Sequence, residues 1–382
     1  MILQLIKFRL VQFLQAILSL LPVSKNKIVF ANFLGRGMGG SPKYIAEEIL
    51  RQGLPYDMVW LVSDTSETFP SGIRPIKMFS LRGRYELATA RIIINNVKHK
   101  LPFKKKEKKQ YYIQTWHGDF ALKYIEKEVE NKLDPLYVLE SKADSKETNL
   151  VLSGSRQFTN IVHNAFWYNG EIYECGVPSN DPFFEHDDNL IKKVHDHFSI
   201  PEETGILLYA PTFRDGDNTD FEIPDFDAIV NRLKEITGKG WILLVRFHPL
   251  DQKQLAKVKF SEHVLNGSSY PGTQDLSKAS DIVITDYSSL MSDFLLQRKM
   301  GLLFVPDVER YEQTRGLRSI FWEVPYPIVR TQQELIQHLD DLFLAESITK
   351  IETFLKDKIH SFDDGHASKR VVERVQHVIS GC

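Results

Sequence analysis

The sequence has little of what marks several large classes of protein. Its 382 residues include two cysteines, Cys175 and Cys382, which exclude a disulfide scaffold and a four-thiolate zinc site and fit a reducing, cytoplasmic environment. Lysine and arginine number 48 against 50 acidic residues, and the net charge of -2 does not indicate nucleic acid binding. No HExxH or paired CxxC motif is present, so the sequence indicates no metal site. No GxSxG motif is present either, which argues against an α/β serine hydrolase. The sequence therefore predicts no metal and no cofactor.

The composition is that of a folded chain with enough residues for two domains, being 42% hydrophobic and 26% charged. Apolar runs alternate with helical segments in two series, parted by a Pro- and Asp-rich stretch at 177–189. This alternation favours buried parallel strands in βαβ units, and hence an α/β fold with two Rossmann-like domains. The predicted strands are 27–33, 58–64, 91–97, 111–116 and 149–154, then 205–211, 241–247, 281–287 and 301–306.

The amino-terminal 23 residues are the one strongly apolar stretch of the chain. Lys7 and Arg9 interrupt it, and the uncharged remainder is short for a membrane span. Its polar residues gather on one side of a helical wheel, which favours an amphipathic helix in the membrane interface over residues 1–26. A helix packed on the protein's own surface and a signal peptide are the alternatives.

A run of basic residues at 97–109 bears on the same question. Five lysines surround Glu107 there, namely Lys104, Lys105, Lys106, Lys108 and Lys109. Such a run is more often a solvated loop, but beside an amphipathic helix it also suits an anionic inner leaflet. The two features together predict a monotopic protein on the cytoplasmic face of the cell membrane.

Ligands of doubly wound sheets bind beyond the carboxyl ends of the strands. The residues that close or follow the predicted strands are Gly35, Gly37, Gly39, Gly40 and Ser41; His117, Gly118 and Asp119; Thr212, Arg214 and Asp215; Arg246 and His248; and Asp286, Tyr287, Ser288 and Ser289. Two histidines, two arginines and hydroxyl groups at a helix start form a constellation that suits a phosphate ligand.

Two of these motifs carry histidine. His117 follows a strand in the sequence WHG, where it could act as a general base near neutral pH or simply be held by a backbone carbonyl. Arg246 and His248 are two residues apart on an extended run, so their side chains point the same way. Bidentate phosphate binding and a surface ion pair are both compatible with that arginine.

Two further motifs are weaker. The segment Thr285–Ser289 ends a strand and opens a helix, where backbone amides bind anions, although an ordinary serine N-cap gives the same pattern. The glycine-rich loop at 35–40 has the composition of a phosphate cradle but lacks the P-loop lysine. Contact with an acceptor and a flexible turn are the two interpretations of this loop.

Taken together, the motifs resemble the CDP-glycerol glycerophosphotransferase family, whose members build teichoic acids and related phosphate-containing capsules. The resemblance covers most of the chain, through NFLGRGMGGSPKYIAEEI, IQTWHG, YAPTFRD, VRFHP, ASDIVITDYSSLMSDF, RYEQTRGL and DDGHASKR. It implies the GT-B fold, with two Rossmann-like domains facing a central cleft, in a monotopic protein. The implied parts are an acceptor domain at 27–185, a CDP-donor domain at 186–365 and a helix at 366–382 that returns to the first domain.

The resemblance also implies roles for individual residues. His117 and His248 match the family's two essential histidines, and Arg214 and Arg246 would bind the donor's phosphates. The other implied donor-binding residues are Gly118, Thr285, Asp286, Tyr287, Ser288 and Ser289, and the implied acceptor-binding residues are Gly37, Gly39 and Asp119. The sequence departs from the family pattern at 119–121, Ser179 and Ser292. These departures leave the acceptor, and the choice between glycerol and ribitol, open.

The predicted activity is transfer of glycerol phosphate from CDP-glycerol to a hydroxyl of a lipid-linked or polymeric glycan in teichoic acid or capsule synthesis, with release of CMP. CDP-ribitol as donor, a GT-B glycosyltransferase that uses a nucleotide sugar, and a non-catalytic membrane-surface scaffold are the alternatives. The predicted partners are the donor, the glycan acceptor and the inner leaflet, without nucleic acid. The sequence indicates neither the oligomeric state nor the number of units added.

Overall fold

The computed structural model describes residues 17, 18, 20–99, 104–106, 108–214, 221–247 and 251–381. Most of the predicted interface helix, and the predicted catalytic residue His248, lie outside the described residues. The chain divides into two compact units. The first comprises the chain up to Asp119, Ile125–Pro182 and the chain from His360 onward, and the second comprises Phe120–Tyr124 and Phe183–Ile359.

Each unit is built on one parallel β-sheet. The strands of the first unit are β1 Lys27–Ala31, β2 Asp57–Val62, β3 Ile73–Lys77, β4 Ile92–Asn95, β5 Tyr111–Gln114, β6 Leu150–Ser153 and β7 Glu171–Glu174. Those of the second are β8 Gly205–Tyr209, β9 Trp241–Val245, β10 Val264–Asn266, β11 Ile282–Thr285, β12 Met300–Phe304 and β13 Ile328–Val329. The predicted α/β fold with two Rossmann-like domains is therefore confirmed.

Helices connect the strands. The α-helices are α1 Gly40–Arg51, α2 Leu81–Thr89, α3 Pro135–Glu147, α4 Arg156–Ala165, α5 Asp188–Phe198, α6 Phe226–Thr237, α7 Gln252–Leu255, α8 Thr273–Ala279, α9 Leu290–Leu296, α10 Val308–Arg315, α11 Gln332–His338, α12 Glu346–Thr353 and α13 Ala367–Ser380. Short 3₁₀ segments lie at Glu126–Lys132, Pro178–Phe184, Gly267–Ser269, Ser319–Glu323 and Asp340–Phe343, and a π-turn lies at Phe354–Lys358.

The order of the strands creates one topological switch point in each unit. The first sheet runs β3-β2-β1-β4-β5-β6-β7 and the second runs β10-β9-β8-β11-β12-β13. In each sheet the first three strands of the unit add in one direction, from β1 to β3 and from β8 to β10. The next strand, β4 or β11, pairs with the opposite side of β1 or β8. The switch points therefore lie between β1 and β4 and between β8 and β11. Loops diverge at such a point and leave a crevice at the carboxyl ends of the strands.

The last helix packs on the first unit. Three valines of α13, Val371, Val372 and Val375, are fully buried in the core that also holds Ile45 and Ile49 of α1. Each such side chain contributes about 1.5–3 kcal/mol when it leaves water. This burial explains why the carboxyl-terminal segment belongs to the first unit and not to the second.

The described division moves the predicted boundaries from 185 to 182 and from 365 to 359, and it also reassigns one short segment of the first domain. Residues 120–124 belong to the second unit, because Phe120 and Leu122 lie in its hydrophobic core. Lys123 pairs with Leu317 in an antiparallel bridge, and the amide of Arg318 donates to Leu122 O at 2.9 Å. The sequence does not indicate this pairing, because the segment is short and its alternating apolar residues are not distinctive.

Among the described residues, none of the helices is both long enough and apolar enough to span a bilayer.

Candidate active site

Two asparagines close the switch point of the first sheet. Asn32 follows β1 and Asn96 follows β4, and both side chains are buried. Asn96 Nδ2 donates to Asn32 Oδ1 at 2.7 Å, and Asn96 Oδ1 accepts from the amide of Phe33 at 2.9 Å. Sequence reasoning missed this pair because the predicted strands 27–33 and 91–97 include both residues, whereas β1 and β4 end directly before them.

The glycine-rich loop packs closely on these asparagines. A Cβ atom on Gly39 would lie 2.9 Å from Asn32 Nδ2, and one on Gly40 would lie 2.7 Å from Asn96 Nδ2. Gly40 also has φ +58°, which larger residues rarely adopt. The loop therefore needs glycine in order to approach the asparagine pair.

Gly35, Gly37 and Gly40 have the G-x-G-x-x-G spacing, between β1 and α1, a match that sequence reasoning missed. Protein atoms occupy the space beside the first two. A Cβ atom on Gly35 would lie 2.7 Å from the amide nitrogen of Ser63, and one on Gly37 would collide with the Glu67 carboxylate. Close packing at Gly35 and the positive φ of both residues, +94° and +61°, thus account for these glycines without a nucleotide, and the predicted acceptor contact of Gly37 and Gly39 stays a prediction.

His117 lies on the same edge of the sheet, three residues after β5. Its side chain is exposed, and its Nδ1 lies 2.9 Å from the carbonyl oxygen of Asn96. Because a carbonyl can only accept, the neutral ring carries its proton on Nδ1 and its lone pair on Nε2. His117 is therefore held by a backbone carbonyl, which is the alternative to catalysis named above. This contact also leaves the ring in the tautomer that a general base needs.

The two residues after His117 differ in their surroundings. A Cβ atom on Gly118 would meet nothing within 4 Å, so the backbone there borders open space. Asp119 is buried, and its Oδ1 accepts from the amide of Gly154 at 2.9 Å. Burial raises the pKa of this carboxyl to about 6. Asp119 thus ties the loop to the end of β6, and its predicted contact with an acceptor stays untested.

In the second unit, Thr212 and Asp286 join the two strands of the switch point. The amide and the hydroxyl of Thr212, after β8, donate to Asp286 Oδ1 at 2.8 and 2.6 Å. Asp286 follows β11 directly and is buried. Its other oxygen, Oδ2, lies 2.8 Å from Arg214 Nη1. This carboxylate therefore fixes both loops that leave the sheet at this point.

The guanidinium of Arg214 is enclosed by partners. Besides Asp286, it pairs with Asp307 through Nε at 2.9 Å and Nη2 at 3.1 Å, and only 6% of the residue is exposed. The rings of Tyr287 and Tyr311 lie 4.9 and 5.2 Å from it. Burial alone would lower the pKa of Arg214, but the two carboxylates raise it above the ordinary value. The predicted contact of Arg214 with phosphate stays untested, and what the structure describes is a side chain that holds the loops.

The predicted donor-binding segment after β11 separates into buried and surface residues. Thr285 donates to Ala210 O at 2.6 Å and Tyr287 donates to Asp307 Oδ1 at 3.0 Å, and both are buried. Ser289 is exposed and Ser288 is half-buried. The two serines are thus the hydroxyl groups of this segment that lie nearest to solvent.

Arg246 differs from Arg214 in its partners. Its Nη1 donates to the carbonyl oxygens of Gly267 at 3.0 Å and Tyr270 at 2.7 Å, and no carboxylate of the described residues pairs with it. The side chain is partly buried, and this burial lowers its pKa, although arginine stays charged near neutral pH. Arg246 therefore holds a fixed positive charge after β9 that an anion can neutralise.

Sequence reasoning also missed the residues that follow β12. Asp307 binds Arg214, Tyr287 and Arg310, and the ring of Tyr311 stacks on that of Tyr287 with 3.7 Å between the centroids. Asp307 follows the predicted strand 301–306, so the strand-end rule could have found it. In the described ranges no group of three or more histidine, cysteine and acidic side chains is placed to hold a metal ion.

Comparison with known proteins gives relatives of similar length and of about twice the length. The teichoic acid poly(glycerol phosphate) polymerase of Staphylococcus epidermidis is 28% identical over 370 residues, which cover 91% of this chain and 50% of that protein. The teichoic acid glycerol-phosphate transferase of Staphylococcus aureus is 28% identical over 380 residues, covering 94% of this chain and 95% of that protein. The chain thus spans about half the length of the first relative and nearly all of the second.

A solved structure and a family model agree with these relatives. The wall teichoic acid polymerase TagF matches with a TM-score of 0.83 and 26% identity, over 99% of this chain and 96% of that one. A variant of that polymerase, soaked with CDPG, matches with a TM-score of 0.81. The model of the CDP-glycerol:poly(glycerophosphate) glycerophosphotransferase family matches residues 13–377. The chain therefore belongs to the CDP-glycerol:poly(glycerophosphate) glycerophosphotransferase family.

Proposed function

We propose that the protein transfers glycerol phosphate from CDP-glycerol to a hydroxyl of a lipid-linked or polymeric glycan in teichoic acid or capsule synthesis, and releases CMP. Family membership and the CDPG soak of TagF support the choice of donor. The observation that carries the proposal is the tautomer of His117. Its Nδ1 is held by Asn96 O at 2.9 Å, and the exposed ring bears its lone pair on Nε2.

In the proposed reaction one bond forms and one breaks at the β-phosphorus of CDP-glycerol. The acceptor oxygen attacks the β-phosphorus of CDP-glycerol and forms a new phosphodiester bond, while the bond from that phosphorus to the oxygen of CMP breaks. The hydroxyl proton goes to Nε2 of His117. Reactions of this kind depend mainly on positioning and on stabilising phosphate charge.

Charge on the phosphates would be met by Arg246, Ser288 and Ser289. Arg246 has no acidic partner among the described residues, and the two serines lie at or near the surface where α9 begins. Arg214 and Asp286 would act indirectly, by holding the loop after β11 that carries the two serines. His248 remains in the proposal as the family's second histidine, without a structural argument. The absence of a metal requirement also stays a prediction.

The Arg246→Met variant is expected to raise the KM for CDP-glycerol about 10- to 100-fold, because a hydrogen bond to a charged group contributes about 1.5–3 kcal/mol. We expect Arg246→Lys to recover part of this loss, since lysine keeps the charge but loses the bidentate geometry. Steady-state kinetics measure both. Arg232→Met is the matched control, because Arg232 lies on α6 of the same unit and pairs with Asp340 at the surface. An equal rise in KM in that control would contradict a donor-binding role for Arg246.

The donor is identified by measuring CMP and UDP release from CDP-glycerol, CDP-ribitol and a panel of UDP-sugars, with a membrane-extracted acceptor pool. We expect CMP from CDP-glycerol. CMP from CDP-ribitol alone would keep the reaction and replace the donor. UDP release without CMP would indicate a glycosyltransferase on the same fold, and no release from any donor would favour a scaffold.

We also propose that the protein binds the inner leaflet of the cell membrane at its cytoplasmic face. Ile17 and Leu20, at the end of the predicted interface helix, expose 48% and 85% of their surface. The ammonium of Lys106 contacts Leu21 O, so the basic loop lies beside the end of this apolar segment. Lys105 is turned inward to Glu147 O at 2.7 Å. Among the described lysines of the loop, those that face solvent are Lys104, Lys108 and Lys109.

Replacing Lys104, Lys108 and Lys109 together with glutamine is expected to weaken binding to vesicles of phosphatidylglycerol and phosphatidylcholine at least about tenfold, because each basic residue near an anionic surface contributes about 1 kcal/mol. Co-sedimentation measures the effect. Glutamine at Lys350, Lys356 and Lys358, three exposed residues of the second unit, gives a variant of equal charge. Equal weakening by both triple variants would contradict a role for the loop itself.

A further inference from the structure

The ammonium group of Lys98 is enclosed by aromatic rings beside the loop that carries His117. Lys98 follows β4 by three residues, and only 8% of its side chain is exposed. The four ring centroids around its Nζ belong to Trp116 at 5.6 Å, Tyr137 at 5.7 Å, Phe166 at 5.3 Å and Trp167 at 5.1 Å. Cations at such distances are attracted to the ring faces, more strongly when water is excluded.

This buried cation forms an ion pair with one carboxylate. Glu126 pairs with Lys98 and also accepts a hydrogen bond from the hydroxyl of Tyr137. Burial lowers the pKa of Lys98, and the negative charges of Glu126 and, more weakly, Asp144 oppose that shift. An ammonium removed from water is costly unless it is paired. The buried ion pair of Lys98 and Glu126 and four aromatic rings thus cluster together, next to the sheet edge that holds His117.

Trp116 connects this point to His117. Its ring stacks on the imidazole, with 4.3 Å between the centroids and 30° between the planes, and its edge packs on Phe166 at 4.7 Å. The backbone of Trp116 has φ +55°, a conformation that costs a bulky residue about 1–3 kcal/mol and persists only where the surroundings impose it. The amide of Trp116 donates to Gln114 Oε1 at 3.0 Å, and its ring lies against Lys98.

We propose that Lys98 is a positioning residue for His117, because its ammonium holds the indole of Trp116 and the indole keeps the imidazole turned with Nδ1 toward Asn96 O. The chain of contacts runs from Glu126 through Lys98 and Trp116 to His117. The inference rests on the proposed function for its catalytic consequence, since that function makes His117 the base. The contacts with Trp116 and Asn96 are independent of that function.

Kinetics of Lys98→Met in the full chain test the catalytic consequence. We expect kcat to fall at least about tenfold, while the KM for CDP-glycerol stays within about twofold, and we expect Lys98→Arg to restore most of the rate because guanidinium also binds ring faces. Lys142→Met is the matched control. Lys142 lies 5.4 Å from the Trp167 ring and pairs with Glu130, but it has no ring contact with Trp116. An unchanged kcat in Lys98→Met, or an equal fall in Lys142→Met, would overturn the proposal.

Nitrogen-15 NMR of the histidine side chains gives a readout without catalysis. The His117 signal, assigned by its loss in His117→Ala, is expected to show the Nδ1-protonated tautomer in the wild type and a tautomer mixture in Lys98→Met. A residue with only a stabilising role would lower the melting temperature and leave this signal unchanged, which would also overturn the proposal. If Lys98→Met does not fold, Trp116→Phe replaces it, with a smaller shift in the same direction expected and an unchanged signal counting against the proposal. Should the wild type transfer no phosphate, the proposed function fails, and the spectra still decide the role of Lys98.

Discussion

Alanine in place of His117 is expected to lower kcat for glycerol phosphate transfer by about 10²–10⁴-fold, the range for loss of a general base. The reason lies in the ring's geometry. Asn96 O holds Nδ1 at 2.9 Å, so the neutral imidazole offers its lone pair on Nε2 to the proton of the attacking hydroxyl. Alanine removes that acceptor without disturbing β5, which ends three residues earlier. Initial rates of CMP release at saturating CDP-glycerol give the measurement.

His163→Ala provides the control for this variant. His163 lies near the end of α4 in the same unit and is exposed. Its replacement is expected to leave kcat unchanged. Should His117→Ala be folded, as judged by circular dichroism, and retain full turnover, His117 would have no role as the base.

Methionine in place of Arg214 is expected to destabilise the second unit by about 3–5 kcal/mol, because removing one partner of a buried ion pair leaves the other charge without compensation. Asp286 loses its cation and Asp307 keeps only Arg310. Urea denaturation, followed by tryptophan fluorescence at pH 7, measures the loss. The variant is also expected to lose transfer activity as the loops around the switch point loosen.

The pH dependence of this effect has a definite sign. Burial would raise the pKa of Asp307, but Arg214 and Arg310 hold it below the ordinary value. This carboxylate therefore stabilises the wild type at pH values above its unfolded-state pKa. The contribution is lost as the pH falls through the folded-state pKa. Without Arg214, burial raises the pKa of Asp307 and favours its neutral acid. The difference in the free energy of unfolding between the wild type and Arg214→Met should therefore become smaller from pH 7 toward pH 4.

Arg232→Met serves as the comparison for stability. Arg232 forms ion pairs with Asp340 and Glu235 at the surface, where such pairs contribute little. Its urea midpoint is expected to match that of the wild type. An Arg214→Met protein with a wild-type midpoint at pH 7 would show that the buried cluster does not support the fold.

The central strands could be predicted from the sequence, and the edge strands could not. Runs such as 205–209 and 241–245 are apolar throughout because helices cover both faces of a parallel sheet. The four strands that sequence reasoning missed are β3, β7, β10 and β13, which are the edges of the two sheets. Edge strands are short or partly polar, as in EIYE of β7, and a hydrophobic pattern alone does not distinguish them from loops.

The sequence predicts that these candidate residues follow strands, but it does not predict which partners each of them contacts. The strand-end rule led to His117, Arg214 and Arg246, because carboxyl ends of parallel strands meet at one edge of a sheet. The sequence cannot tell that Arg214 meets two carboxylates from β11 and β12 while Arg246 meets only backbone carbonyls. That difference depends on which loops converge, and so does the pairing of Asn32 with Asn96.

The central claim is that the chain moves glycerol phosphate from CDP-glycerol onto an acceptor. The most direct test supplies the purified full chain with CDP-glycerol radiolabelled in the glycerol, together with the membrane-extracted acceptor pool, and measures CMP and acceptor-bound label in the same reaction. We predict one equivalent of label in the acceptor for each CMP released, and neither product with His117→Ala above about 1% of the wild-type rate. CMP release without label in the acceptor, or no CMP at all, would contradict the account.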